Sequence, residues 1–320
     1  MAVGLIPGYF PPSKENYDLL LAIWKWFPVF ASIQWLTAFY AMGKTSLPTS
    51  RLNLPGRWAW LTMESPGFVT LLYNYFALSR VGGGIVGEEN GSPPWRNKVL
   101  VALFVIHYAY RAVVYPFIQP SMSPIHAIMW CFAIVFQIVN GTLIGSWLGR
   151  YHNYDYNYYH GASSSSSSSI VQFSFGVAIF YLGLAANYYH DEELREIRRR
   201  EIRRREKLEL VKQREEKGES GNQNGKNGEK KKKKTTIEKH YEIPTAGLFR
   251  YVLYPHYLVE WVEWFGFWMA CGWDCAPAMM FLVNEVFSML PRAVRGKRWY
   301  VEKFGREKVG RRWAVIPGVW

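Results

Sequence analysis

An all-α, polytopic integral membrane protein with about seven transmembrane helices is the fold class this sequence predicts. Three observations predict it. The chain is 17% aromatic with fifteen Trp, which suits a protein with two membrane–water interfaces. Apolar runs recur at about the twenty-residue length a helix needs to cross hydrocarbon. Lys and Arg crowd some of the gaps between these runs and are nearly missing from others. The mean hydropathy of −0.11 points the other way, but it averages in a stretch from about Glu192 to His240 that is almost free of apolar residues.

The expected spans are Leu19–Met42, Trp58–Leu78, Val99–Ile118, Ile125–Leu148, Ile170–Tyr189, Leu248–Cys271 and Ala276–Leu290, the last of them short. Pro, Gly and Asn punctuate most gaps, as in NLPG before the second span and GSPPWRN before the third. Basic loops mark the cytosolic side. RRREIRRREK and KKKKK place the fifth-to-sixth loop there. Helix parity then adds the first-to-second loop, with Lys44, Arg51 and Arg57, and the tail that carries Arg292 to Arg312. The second-to-third loop, with Arg80, Arg96 and Lys98, fits this topology less well.

Three regions follow. Residues 1–198 hold the first five helices, with a Ser-rich loop over 150–169. Residues 199–236 form a charged cytosolic insertion that begins as a possible helix and ends disordered in GNQNGKNGEKKKKK. Residues 237–320 hold the last two helices and a basic cytosolic tail.

Composition also excludes. The net charge of +13 would suggest nucleic acid in a soluble protein; here the excess lies in the insertion and the tail, so contact with membrane lipid and no nucleic-acid partner is expected. Cys131, Cys271 and Cys275 are too few for a disulfide framework and match no zinc spacing, so no metal is expected. The opening MAVGLIPGYFPPSKENYD has no basic n-region, so no cleaved signal is expected. Gly82-Gly83-Gly84-Ile85-Val86-Gly87 matches GxGxxG, but it follows no strand and opens no βαβ unit, so it fails as a dinucleotide fingerprint.

Charges inside the apolar spans carry the functional signal. Glu64, Arg111, Glu260 and Glu263 fall within them, and His107 and His256 lie in or near them. An unpaired charge at mid-bilayer costs roughly 2.5–3.5 kcal/mol even on lenient insertion scales, so these groups must face each other, a ligand or water. In IHYAYRAVVY, His107 and Arg111 are four apart and Tyr108 and Tyr115 seven apart, each pair on one helical face. Asn187, Asp191 and Arg198 share a stripe where the fifth span leaves the membrane, and His256, Glu260 and Glu263 share another. Polar stripes on three spans can converge on a pocket with a polar, anionic ligand at its cytosolic mouth and an apolar ligand deeper in.

At this point the residues resemble a known family. GRWAWLTMESPGF, IHYAYRAVVYPF, Asn140–Gly141, NYYHDEELREIR, YEIPTAGLFRYVLYPHYLVEWVEWFGF, PRAVRGKRWYVEKF and a late AVIP, in that order, are similar to the steroid 5α-reductases, and more broadly to the superfamily that includes polyprenol reductase and trans-2-enoyl-CoA reductase. The resemblance implies an NADPH-dependent reductase of a C=C bond conjugated to a carbonyl, in a steroid or another lipid, working as a monomer in the endoplasmic reticulum membrane. It implies that Glu64 and Tyr108 bind the substrate carbonyl. It also implies that His107, Arg111, Tyr115, Asn187, Asp191, Arg198, His256, Glu260, Arg292 and Tyr300 surround NADPH, with Arg198, Arg292 and Arg195 as candidates for its phosphates.

The chain departs from the steroid branch in several places. Met63 stands where a Gln usually precedes the catalytic acid, so one donor to the substrate end is missing. His256 replaces an Asn, and PHY there looks like the polyprenol branch. Gly296 replaces a His, and two family arginines have no counterpart around Met122 and Phe132. The enoyl-CoA branch commonly carries a ubiquitin-like segment, and nothing before Leu19 is long enough to be one. The reading outside catalysis is a transporter or a scaffold recruiting partners through its charged loop. Buried Glu and Arg would serve a transporter as well, but neither an inverted repeat nor a broken-helix pair is evident.

Overall fold

The computed structural model describes residues 4–37, 49–81, 94–152, 170–219 and 241–319. The GxGxxG-like loop, the Ser tract and residues 220–236 of the insertion lie outside the described residues. Within them the chain is built from helical rods. The first is α1 (Lys14–Trp24) followed by α2 (Phe27–Leu36), and the second is α3 (Gly56–Val81). The third joins α4 (Trp95–Tyr108) through a π-helical stretch over Ala109–Val114 to α5 (Tyr115–Ile118). Next come α6 (Ala127–Ser146), continued by π-helix through Tyr151, and then α7 (Ile170–Glu219). The last rods are α8 (Pro255–Cys271) and α9 (Ala276–Phe304), with a short α10 (Arg306–Val309) after them.

Four stretches, Lys14–Leu36, Trp95–Ile118, Ala127–Tyr151 and Ile170–Arg214, are long and apolar enough to cross a membrane. The protein is therefore an all-α, polytopic membrane protein. Of the remaining long rods, α3 and α9 carry polar residues along their length, and α8, at 17 residues, is shorter than a full span; charged and polar groups in such rods face a protein interior rather than lipid.

Several boundaries differ from expectation. The first rod is Lys14–Leu36 rather than Leu19–Met42, because Ser13 caps α1 by accepting from the Asn16 N–H. The sixth begins at Pro255, since Pro suits a first helical turn; Gly247–Arg250 forms a separate 3-10 turn. The seventh is not short, because α9 runs on to Phe304. Residue 198 is no structural break, for α7 continues from the apolar span through Glu219, with Glu201 paired to Arg204 and Arg205 along it.

Glycine sets the helix spacing. Gly141, Gly145 and Gly149 repeat every fourth residue on one face of the α6 rod, against Gly67, Leu71 and Tyr75 of α3. Gly176 and Gly266 meet where α7 crosses α8, and a Cβ on Gly183 would lie 2.6 Å from the Glu263 Cα. In lipid, where apolar surface gives helices little reason to associate, such close backbone approach is a main source of packing energy. At each start of α3 and α6 a two-residue strand, β1 (Asn53–Leu54) or β2 (Ile125–His126), pairs antiparallel with the other and brings the two rods level. The C-terminal segment returns to the start of α8: the Leu253 N–H donates to the Trp313 carbonyl at 2.9 Å and the Tyr254 N–H to the Ala314 carbonyl at 3.0 Å.

Candidate active site

The interior is layered. Phe104, Trp264, Phe267 and Phe281 form an aromatic floor, each almost completely buried. Their ring centroids lie 4.5 Å apart for Trp264–Phe281, 5.5 Å for Phe104–Trp264 and 5.7 Å for Trp264–Phe267. Phe136 adds to it at 6.0 Å from Phe281. Polar side chains adjoin these rings along the helices: Tyr108 one turn past Phe104, Glu263 beside Trp264, Gln137 beside Phe136 and Asn284 one turn past Phe281.

An ionic network from three rods occupies this layer. His107 Nδ1 is 2.7 Å from Glu263 Oε1, and its Nε2 is 3.8 Å from Glu260. The Arg111 guanidinium lies 3.1 Å from Asp191 and 3.7 Å from Glu260. The rings of Tyr115 and Trp60 lie 4.9 and 5.2 Å from that guanidinium, and the Trp60 indole donates to the Arg111 carbonyl at 2.9 Å. The four-residue spacing of His107 and Arg111 thus lets both reach Glu260. The π-helical stretch begins directly after Tyr108 and interrupts the α-helical spacing on which the Tyr108–Tyr115 pairing rested. Such stretches are commonest at functional sites.

Glu64 and Tyr108 meet through a residue the sequence reading missed. The buried Gln137 amide donates to Glu64 Oε2 at 2.6 Å and lies beside the Tyr108 hydroxyl. Gly67 makes room, for a Cβ there would strike Gln137 and touch the Tyr108 ring. Met63 faces away, buried with Ala59 and Ile125. The amide beside Glu64 therefore comes from α6 rather than from position 63.

The mouth of the site is rich in guanidinium groups. Arg195 is 1% exposed and pairs with Glu192 and with the Tyr110 hydroxyl, the latter at 3.1 Å, while its Nε has no hydrogen-bond partner. Arg198 is exposed and donates to Gln119 Oε1 at 3.1 Å. The stripe expected for Asn187, Asp191 and Arg198 therefore turns inward at Asn187, Asp191 and Arg195, with Arg198 at the rim. Arg292 lies 5.7 Å from the Tyr257 ring, and Tyr300 is buried near Tyr254 and Phe304. The His256 ring packs against Tyr257 at 4.6 Å and Tyr254 at 5.7 Å, so it joins this aromatic cluster rather than the Glu260–Glu263 pair with which it was grouped. The Tyr254 hydroxyl occupies the space a side chain at Gly296 would need.

The sequence pattern of the 3-oxo-5-alpha-steroid 4-dehydrogenase family matches residues 122–208 and 222–320, more than half of the chain. The chain belongs to this family. Its membership makes the protein an oxidoreductase. Relatives match over most of their length. Uncharacterized protein C9.08c of Schizosaccharomyces pombe is 30% identical over 86% of this chain and 88% of its own. The 3-oxo-5-alpha-steroid 4-dehydrogenase 1 of Bos taurus is 27% identical over 82% and 81%. The steroid 5-alpha-reductase DET2 of Solanum lycopersicum is 26% identical over 94% and 95%. Family membership also associates the chain with a nicotinamide cofactor. The residues fit such a group: the buried Arg195 Nε and Trp261 indole, and one oxygen each of Glu260 and Glu263, have no hydrogen-bond partner in the protein, and arginines and tyrosines ring the mouth beside them.

Proposed function

We propose that the protein reduces a carbonyl-conjugated C=C bond in a lipid, a 3-oxo-Δ4 steroid or a sterol-like enone, with NADPH as reductant. The observation that carries this reading is the cluster of buried Tyr108 and Gln137 with half-buried Glu64 set against the ionic network of His107, Arg111, Asp191, Glu260 and Glu263. NADPH supplies the hydride when bound. Tyr115, Asn187, Asp191, Arg198, Arg292 and Tyr300 surround it together with that network, and Arg195 and Arg198 take its phosphates as bidentate guanidinium partners.

The chain's own residues handle the charge. As the β-carbon of the enone is reduced, negative charge builds on the carbonyl oxygen. Tyr108 donates its hydroxyl hydrogen bond to that oxygen, and Glu64 donates a second in its protonated form. Gln137 holds the other Glu64 oxygen, fixing the direction of the acid. Such donors act most strongly in surroundings of low polarity, which the aromatic floor and the close glycine crossings supply. The α-carbon then takes a proton from water. We place the protein in the endoplasmic reticulum membrane as a monomer, with the guanidinium-rich mouth and the C-terminus facing the cytosol.

The test is NADPH consumption by detergent-purified protein with a Δ4-3-oxo steroid, a polyprenal-type enal and an enoyl-CoA in parallel, with the reduced product followed by mass. Turnover of the steroid supports the reading. Turnover of the enal or the thioester alone moves the protein to another branch of the superfamily, and failure to bind NADPH overturns the reductase reading.

A further inference from the structure

Asn284 stands apart from the other buried amides. Asn97 donates to the Leu148 carbonyl at 2.7 Å, and Asn140 both donates to Phe136 at 2.8 Å and accepts from the Trp24 indole at 2.9 Å. Those two hold helices in place. Asn284 is 0% exposed, yet neither its Nδ2 nor its Oδ1 has a partner; the Ser288 hydroxyl donates to its backbone carbonyl and leaves the amide untouched. A buried amide left unpaired in an apolar surrounding is strongly disfavoured, so this side chain is built to meet something the protein does not supply.

Its position says what that is. Asn284 follows Phe281 by one turn of α9, as Tyr108 follows Phe104 by one turn of α4. Phe281 and Phe104 both belong to the aromatic floor. Asn284 is fully buried one turn from that floor, so it faces the protein interior rather than lipid. The adjoining Glu285 is within electrostatic reach of Glu64 and Glu260. A carboxamide offers both donors and an acceptor, and a lipid hydroxyl can likewise both accept from it and donate to it.

We infer that Asn284 is a specificity-determining residue that hydrogen-bonds a hydroxyl group of the lipid substrate, separate from the enone carbonyl. The inference rests on the proposed reading of the chamber as a substrate site and adds to it that the substrate carries a second oxygen. Hydroxyl-bearing lipids are selected because a bare hydrocarbon skeleton would leave the buried amide unpaired.

The test is equilibrium binding to the full chain in detergent, with NADP+ present so that no turnover intervenes. Androst-4-en-3-one is compared with its 11β- and 17β-hydroxyl derivatives. At least one hydroxylated steroid should bind roughly tenfold more tightly than the bare one, as expected for one net hydrogen bond that completes a buried polar group. That preference should vanish in Asn284→Leu and persist in part in Asn284→Thr. Equal affinities in the unmodified protein, which need no variant to fold, overturn the inference, and so does a preference that survives Asn284→Leu. NADPH turnover of all three steroids at equal affinity would sink the Asn284 assignment and leave the reductase reading standing. A hydroxyl preference with no turnover of any of them would do the reverse.

Discussion

The Gln137 amide on α6 and the Glu64 carboxyl on α3 are joined by a 2.6 Å hydrogen bond inside the membrane. The pair links two rods already held level by β1 and β2 and packed through the Gly141–Gly145–Gly149 face. Replacing Gln137 with Met keeps the volume and removes the donor. We expect kcat to fall on the order of tenfold or more, with the dissociation constant for NADPH unchanged. A cofactor titration beside a steady-state assay checks this; an equal loss of NADPH affinity would assign Gln137 a purely structural role.

Tyr108→Phe removes the hydroxyl we propose as donor to the substrate carbonyl and leaves the ring among Phe104, His107 and Trp264. A lost donor to a developing oxyanion costs about 10²–10³-fold in kcat. Thermal stability and NADPH binding should stay near those of the unmodified protein. Unchanged turnover would remove Tyr108 from the chemistry.

His107 and Glu263 are both almost completely buried, so removing one strands the other. Glu263→Ala is expected to destabilise the protein by about 3–5 kcal/mol, as for other broken buried pairs. Replacing both should cost less than the sum of the two single changes, because neither charge is then left alone. Thermal unfolding of the two single variants and the double variant in one detergent measures the coupling.

Gly183→Leu pushes α7 off the backbone of Glu263, where a Cβ alone already lies 2.6 Å from the Glu263 Cα. Overpacking of this kind costs about 1–3 kcal/mol or more, and here it also displaces the partner of His107. The expected result is a lower unfolding temperature together with lost turnover. A variant with full stability and full activity would show that the crossing has slack.

The two arginines of α7 should separate. Arg198→Ala should weaken NADPH binding and leave folding intact, since its side chain is exposed. Arg195→Ala should weaken binding and lower the unfolding temperature as well, because Tyr110 and Glu192 lose a buried partner. Cofactor titration and thermal unfolding of both variants decide it.

The rods and the ionic network were legible because both signals are local: an apolar run announces a span, and a charge within it announces an interior. Glu64, His107, Arg111, Glu260 and Glu263 were visible for that reason. Gln137 and Asn284 carry no charge, and uncharged amides in apolar helices are as often helix ties, as Asn97 and Asn140 are. The available signal for Gln137 was its place in the most apolar of the four candidate spans. Glu285 falls inside the expected Ala276–Leu290 span, and the rule that singles out Glu64 covers it too. Which of Arg195 and Arg198 turns inward depends on how α7 is rotated against its neighbours, and spacing leaves both on one stripe. The π-helical stretch after Tyr108 has no sequence mark, since it depends on a single extra residue per turn being accommodated by α3.

The floor of Phe104, Trp264, Phe267 and Phe281 has a mechanical consequence. The four rings come from three rods, α4, α8 and α9, and each lies against another of them. Close-packed interiors transmit strain rather than absorb it. A slide or tilt of one rod therefore drags the other two with it, and the three move as a single body.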